Sequence, residues 1–495
     1  FEIKTIQIED EVYPDYLYNK TTERFVGAYY DGDVAIDWRA YKLTASGSFP
    51  TNIKNQTYHF YKAEGTSYYC TNIEIPQTQT IATNTTWENV SVANKITIEE
   101  GATLTITGLI GCADAEKLII KEGGQLIHNN AGVKATLEKE IEGYGSTNDA
   151  WYTISSPLVG NVALSDVEGL IPTNNNYDLY RYDEPTSVWQ NVKESSNIFT
   201  SLESGRGFLY ANKYDVTLSF SGELNGDDVG YYLTKTDDIT LSGFHLIGNP
   251  FAHNIYKGEG AAIEDKNLAT GYYTLSNSGA WGVKISNETP IVPGQGILVK
   301  TLQEGDVTIK KINTSPSRKS NMDVLSISVK NNDYEDNAFI LFNDGESLEK
   351  INHQNQNVPM IYLPVDGINY AVANLSDNVK DIPLSFKATT MGEYNISINS
   401  SNNDFEYIYL VDNQTGNVTN MLVDEYTFIA TSNDNPNRFV IKLYDVNSVG
   451  EIGNTENNIY VNNDELIVTN FAGHGVIDID DILVRRGTRL ETPCN

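Results

Sequence analysis

The chain has 495 residues, 40% of them hydrophobic and 20% charged, which is globular composition at a length suited to three or four domains and not to a disordered tail. The net charge of −32 is spread along the whole length, so the surface repels phosphate backbones and anionic headgroups, and nucleic acid is not an expected partner. No apolar run approaches the roughly 20 residues of a spanning helix, so no membrane insertion is expected.

Three cysteines, Cys70, Cys112 and Cys494, form no CxxC pair and lie far apart in sequence. They offer neither a structural zinc site nor a disulfide framework, and leave a single Cys70–Cys112 bridge or isolated buried thiols as alternatives. The chain starts at Phe1 without a basic or apolar leader. A signal peptide already removed, or a start inside a longer protein, is the expectation.

Residues 1–75 hold ten of the 31 tyrosines and are read as a small Tyr-rich β module. Its segment YYDGD offers Tyr29 and Tyr30 as ligand-binding aromatics, and Asp31 and Asp33 as carboxylates for calcium, the one cofactor considered. Next comes a short solenoid-like segment, 76–147. Within it ITIEEGATLTI (96–106) aligns with LIIKEGGQLIH (118–128) at an offset of 22, so Leu104 and Leu126 should stack one coil apart. WENVSV (87–92) reads as a weaker coil, and the short stack is expected to lean on its neighbour.

Residues 148–315 carry a longer repeat. WYTISSP (151–157) pairs with FHLIGNP (244–250), SGRGFLYA (204–211) with PGQGILVK (293–300), VTLSF (216–220) with VTIKK (307–311), and Trp189 meets Trp281. Four blocks in order at offsets of 89–93 mark a duplicated β unit of about 90 residues. NTSPSRKSN (313–321) is a polar linker. It precedes a block sized for one β-sandwich, 322–445, whose LSISVK, EYNISIN and RFVIKLY alternate with period two. A second Asn/Gly-rich linker leads to a partial β segment at 458–495. The whole is an all-β, multidomain chain with a short β-solenoid segment and β-sandwich domains.

No GxSxG, P-loop, HExxH or Rossmann glycine pattern occurs, and the six histidines are dispersed. Ser155-Ser156-Pro157 has Gly248-Asn249-Pro250 as its repeat partner, so it reads as a strand-ending turn and not a nucleophile. GRG (205–207) and GQG (294–296) precede strands, so they read as turns and not phosphate cradles. Trp189 and Trp281, with Gln190 and Asn191, are the candidate sugar platform, set against a core role for the two tryptophans. No catalytic residue is expected.

In order along the chain, ITIEEGATLTI, KLIIKEGGQLIHN, WYTISSPL, GRGFLYAN, HLIGNPF, GQGILVK, IPLSFKA, GEYNISI and RFVIKL resemble the C-terminal part of large Bacteroidetes surface proteins exported by the type IX secretion system. The family closes in a signal domain with a V-x-I-Y-D-x-x-G-R strand pair. Here VIDIDDILVRR keeps Asp481 and Arg485 but has Asp480 at the Tyr position and Val484 at the Gly. The resemblance implies a protein secreted to the bacterial outer surface, with the type IX machinery as a partner. The reading is a non-catalytic, adhesin-like protein that binds a glycan or a host or neighbour-cell surface protein. The alternatives are accessory modules of a secreted peptidase or glycosidase whose catalytic domain lies upstream, or a structural surface stalk.

Overall fold

Short runs with β-branched residues at every second position cannot bury a helical stripe, and they fold here as strands packed on one another. The computed structural model describes residues 76–445 apart from 146–149, 197–198, 265, 286–288, 313–322, 343–344, 377 and 402–404. Tyr29, Tyr30, Asp31, Asp33 and Cys70 lie outside the described residues, as does the segment with Asp480 and Asp481. Among the described residues the helices are three-residue 3-10 turns, and the protein is all-β and multidomain.

The solenoid is a parallel stack. One face joins strands Gln79–Ile81, Ile96–Ile98, Leu118–Ile120 and Lys134–Ile141, with Ile81, Ile98, Ile120 and Leu137 in register. A second face pairs Thr85–Trp87, Thr103–Ile106 and Gln125–Ile127, and Leu104 stands directly beside Leu126, both fully buried. A third, Val90–Ser91 beside Ile110–Gly111, closes the coil. Gly101 and Gly123 take φ of +74° and +75° at the corner of successive coils, where a Cβ would be strained. The segment 79–92 is therefore a full coil. The stack does lean on its neighbour: Lys134–Ile141 pairs antiparallel along its whole length with Val216–Glu223, so one sheet runs from the solenoid into the duplicated region.

The duplication is visible as two four-stranded sheets of the same order. Tyr152–Ser155, Gly207–Asn212, Tyr177–Asp183 and Val188–Asn191 form the first; Phe244–Gly248, Gly296–Lys300, Tyr272–Leu275 and Trp281–Lys284 form the second. Trp189 faces Tyr182 across its hairpin and Trp281 faces Leu275 across the equivalent hairpin. Each copy adds an outer pair, 134–141 with 216–223 and Val229–Leu233 with Gly305–Ile309. The structural repeat thus reaches back to Lys134, into the last rung of the solenoid.

The copies pack through their matching ends. Ser155 N donates to Gly294 O at 3.0 Å, and Gly248 N donates to Gly205 O at 2.9 Å. Under the repeat these two bonds are images of each other, the self-complementary arrangement of a two-fold dimer contained in one chain. Such close approach requires glycine: a Cβ on Gly248 would lie 2.2 Å from Ser155 Cβ, and one on Gly207 2.7 Å from Leu246 Cγ. Gly248→Ala should therefore cost about 1–3 kcal/mol by overpacking the junction, read as a lowered denaturation midpoint. A change within the error of the wild-type midpoint would contradict this packing.

The last block is a sandwich. One sheet has the order Tyr426–Ala430, Gly392–Ser401, Val324–Lys330, Glu335–Leu341, Ile368–Asn374; the other runs Val418–Asn420, Phe405–Asp412, Phe439–Asp445, Asp381–Lys387. Strand Met360–Val365 belongs to both, pairing through Leu363–Val365 with the first sheet and through Met360–Tyr362 with the second. This shared strand turns the two sheets into one nearly closed, barrel-like wrap. Tyr394, Phe386, Phe428 and Phe439 meet edge-on or tilted at 5.0–6.4 Å between centroids to fill the space between.

Candidate functional site

Trp281 is only 3% exposed and packs among Tyr182, Val283, Leu341 and Leu348, so the sugar-platform reading is corrected for this residue: no ring face is open to a ligand. Trp189 is half-buried, tilted at 51° against the Tyr182 ring with centroids 5.1 Å apart, and packed against the same cluster. Gln190 Oε1 accepts from Arg181 Nε at 2.7 Å, and buried Asn191 holds a turn by accepting from Lys193 N at 2.9 Å. Gln190 and Asn191 thus serve the hairpin. The repeat preserves the tryptophans because they join the second copy to its neighbours.

The other sequence candidates also resolve into structure. Ser155 Oγ donates to Asn249 O at 2.8 Å in the junction of the copies, with no base beside it. Cys112 is a buried free thiol, and burial raises its pKa. His128 and His253 are buried, and desolvation pushes them down to about 3 and about 4, so both are neutral. No cluster of three His, Cys, Asp or Glu suited to a metal occurs among the described residues.

The structure brings together residues that the sequence reading did not single out. An open cleft of about 740 Å³ lies where the last solenoid coil, the first copy and the second copy meet. Glu122 enters from the coil's Gly turn, Lys139, Glu140 and Glu142 from strand 134–141 and its end, Tyr152 from the first copy, and Asn277 and Gln295 from the second. Asp215 completes a rim with four carboxylates against one ammonium.

Several of these groups are held in place. Glu122 accepts from Lys139 Nζ at 3.3 Å and from Glu140 N at 3.1 Å. Asp215 Oδ1 accepts from Gly143 N at 2.8 Å, and Gln295 Oε1 from Val292 N at 3.0 Å. Tyr152 accepts from Glu142 N at 3.0 Å; burial first, then the nearby carboxylates, raise its pKa, so it stays a phenol with a proton to donate. The cleft therefore presents fixed acceptors beside O–H and N–H donors, which is chemistry for hydroxyl or amine groups. Its signal in sequence was faint: Gln295 lies inside GQG and Tyr152 opens the TISSP strand, but only the packing of three segments makes them neighbours.

A second polar group is sealed. Asp336 takes Lys350 Nζ at 2.6 Å on both oxygens and Ile361 N at 2.8 Å on Oδ2, while His353 Nδ1 accepts from Trp281 N at 3.0 Å. The side chains of all three are at most 2% exposed. They lie where the second copy meets the sandwich, beside Asn337, which exchanges two hydrogen bonds with the Val283 backbone at 3.0–3.1 Å.

Residues 369–443, in the sandwich, match a family described as Domain of unknown function (DUF8693). No curated protein and no solved structure is detectably similar to the chain.

Proposed function

We propose that this chain is a non-catalytic, adhesin-like protein, secreted to the outer surface of a bacterium by the type IX route, and that the cleft lined by Glu122, Tyr152 and Gln295 binds a glycan. The cleft carries the reading. It is open, it mixes oriented carboxylates with a phenol and amides, and it is built from three segments whose backbones are locked by sheet pairing. Carbohydrate hydroxyls use acceptors and donors alternately, and Tyr152 supplies a ring. The excess of carboxylates favours neutral or amine-bearing sugars over sulfated or uronic ones. The export route rests on the ordered sequence blocks, and a protein partner or a stalk role are the alternatives the test separates.

The test is a glycan array followed by calorimetry on the purified chain. Neutral or amino glycans should bind without turnover. Glu142→Gln, at an exposed position, should weaken binding several-fold, about 1 kcal/mol, by exchanging a charged acceptor for a neutral one, with the thermal midpoint unchanged. An empty array would favour the stalk; turnover lost on one Asp or Glu substitution would make the chain an enzyme.

A further inference from the structure

We propose that Lys350 and Asp336 form an intramolecular amide bond, a covalent cross-link inside the sandwich in which the His353 Nε2–H supports the departing oxygen. The arrangement contains each part that aminolysis of a carboxyl group needs. The nucleophile is in place: Lys350 Nζ lies 2.6 Å from both oxygens of Asp336, with the ammonium 1% exposed and the carboxylate fully buried. Leu341, Leu348 and Ile351, from the segments that carry the pair, belong to one apolar core cluster with Tyr273 and Val372. In such a site, transfer of a proton from the ammonium to the carboxylate removes two buried charges at once and leaves a free amine beside a neutral acid. Burial pushes Lys350 down in the same direction, whereas for Asp336 burial is outweighed by Lys350 and His353, which hold its carboxyl low, so the neutral pair is the minor, reactive form.

The remaining two groups divide the oxygens between them. Oδ2 accepts from Ile361 N at 2.8 Å, a fixed backbone donor that holds the oxygen which stays and steadies the charge that grows on it during attack. Oδ1 faces His353 Nε2 at 3.5 Å. His353 Nδ1 accepts from Trp281 N, so the ring proton resides on Nε2, and that nitrogen is buried without a hydrogen-bond partner. A buried N–H that faces one oxygen of a carboxylate at 3.5 Å without bonding to it can close on that oxygen as negative charge grows there.

The step balances without a co-reactant. The Lys350 Nζ lone pair attacks Asp336 Cγ and forms the C–N bond; the Cγ–Oδ1 bond breaks. Oδ1 leaves as water and carries away two of the three protons of the original ammonium. Both protons pass directly from Nζ to the departing oxygen, since Nζ stands 2.6 Å from each oxygen of Asp336, while His353 keeps its Nε2 proton and donates that N–H to Oδ1 as it leaves. The product ties strand Glu335–Leu341 to the residue that follows Leu348–Glu349, at the junction with the second copy. This inference does not rest on the glycan reading.

The test is the intact mass of the full chain under denaturing conditions, with a tryptic map. The wild type should weigh one water less than its sequence, trypsin should fail to cleave after Lys350, and the resulting peptide 331–380 should itself be one water light, with fragmentation placing the loss between Asp336 and Lys350. Lys350→Met should weigh what its own sequence weighs. His353→Ala should retain both reacting groups and form the link about 10²-fold more slowly. A wild-type mass equal to the sequence, or a water lost elsewhere with Lys350 still cleaved, would overturn the cross-link and leave a buried ion pair. An undiminished rate in His353→Ala would overturn the role of His353.

Discussion

Replacing Asp412 by alanine should destabilise the sandwich by about 3–5 kcal/mol, because it leaves a buried guanidinium without its anion. Arg438 Nε donates to Asp412 Oδ1 at 2.9 Å and Nη2 to Oδ2 at 2.7 Å, a two-pronged pair with side chains 3% and 1% exposed. Tyr426 OH donates to Oδ2 at 2.7 Å, and the guanidinium lies 4.7 Å from the Phe428 ring and 5.2 Å from Phe439. The pair thus ties Asp412, Tyr426 and the head of strand Phe439–Asp445 to the aromatic core. Asp434, 3.4 Å from Nη1, is more exposed and compensates only in part.

The same pair sets an acid limit. Burial alone would raise Asp412, but its bonds from Arg438 and Tyr426 outweigh burial and hold it at about 2 against an ordinary 3.8. A carboxyl lowered on folding stabilises fully above its unfolded value and loses that contribution as pH falls through its folded value. The wild type should therefore lose about 2 kcal/mol between roughly pH 4 and pH 2 on this account. Urea midpoints across that range check both effects. An Asp412→Ala midpoint within 1 kcal/mol of wild type would show that the pair does not hold the fold.

Ile98→Ala should cost about 2–5 kcal/mol, the range for a fully buried aliphatic side chain whose site cannot collapse. Ile98 is fully buried between Ile81 and Ile120 in the parallel ladder. The backbone bonds Glu99 N to Ile81 O and Lys121 N to Ile98 O, both 2.9 Å, fix the spacing of the coils, so neighbours cannot close the void. Hydrogen exchange at the amides of Glu99 and Lys121 should quicken, while Thr97→Ala, on the outer side of the same strand, should leave them near wild type. Equal effects of the two substitutions would mean that this row is not the core of the stack.

Local pattern was enough to specify strands. The period-two runs at 216–224, 325–330, 393–399 and 438–444 correspond to strands Val216–Glu223, Val324–Lys330, Gly392–Ser401 and Phe439–Asp445. In each, the alternation records which side meets a core, a property of adjacent residues. The coil pair at 96–106 and 118–128 was equally legible because both corners need a glycine. The first coil was faint because the row steps from Ile81 to Ile98 in 17 residues and from Ile98 to Ile120 in 22, so no single offset aligns all coils.

The duplication announced that Trp189 and Trp281 are equivalent, but not that their faces are covered, since burial depends on what packs from outside the repeat. The glycines of GRG and GQG were readable as turns, while their second role, letting the copies touch, exists only across the junction. The cleft unites residues from Glu122 to Gln295, and the Asp336–Lys350–His353 group combines a strand, a strand end and a loop with no spacing rule between them. Strand identity and repeat came from the sequence by itself because the chemistry of neighbouring residues dictates both. The sites came from the tertiary structure alone, because side chains distant in sequence acquire a shared chemistry only when packing removes the water between them.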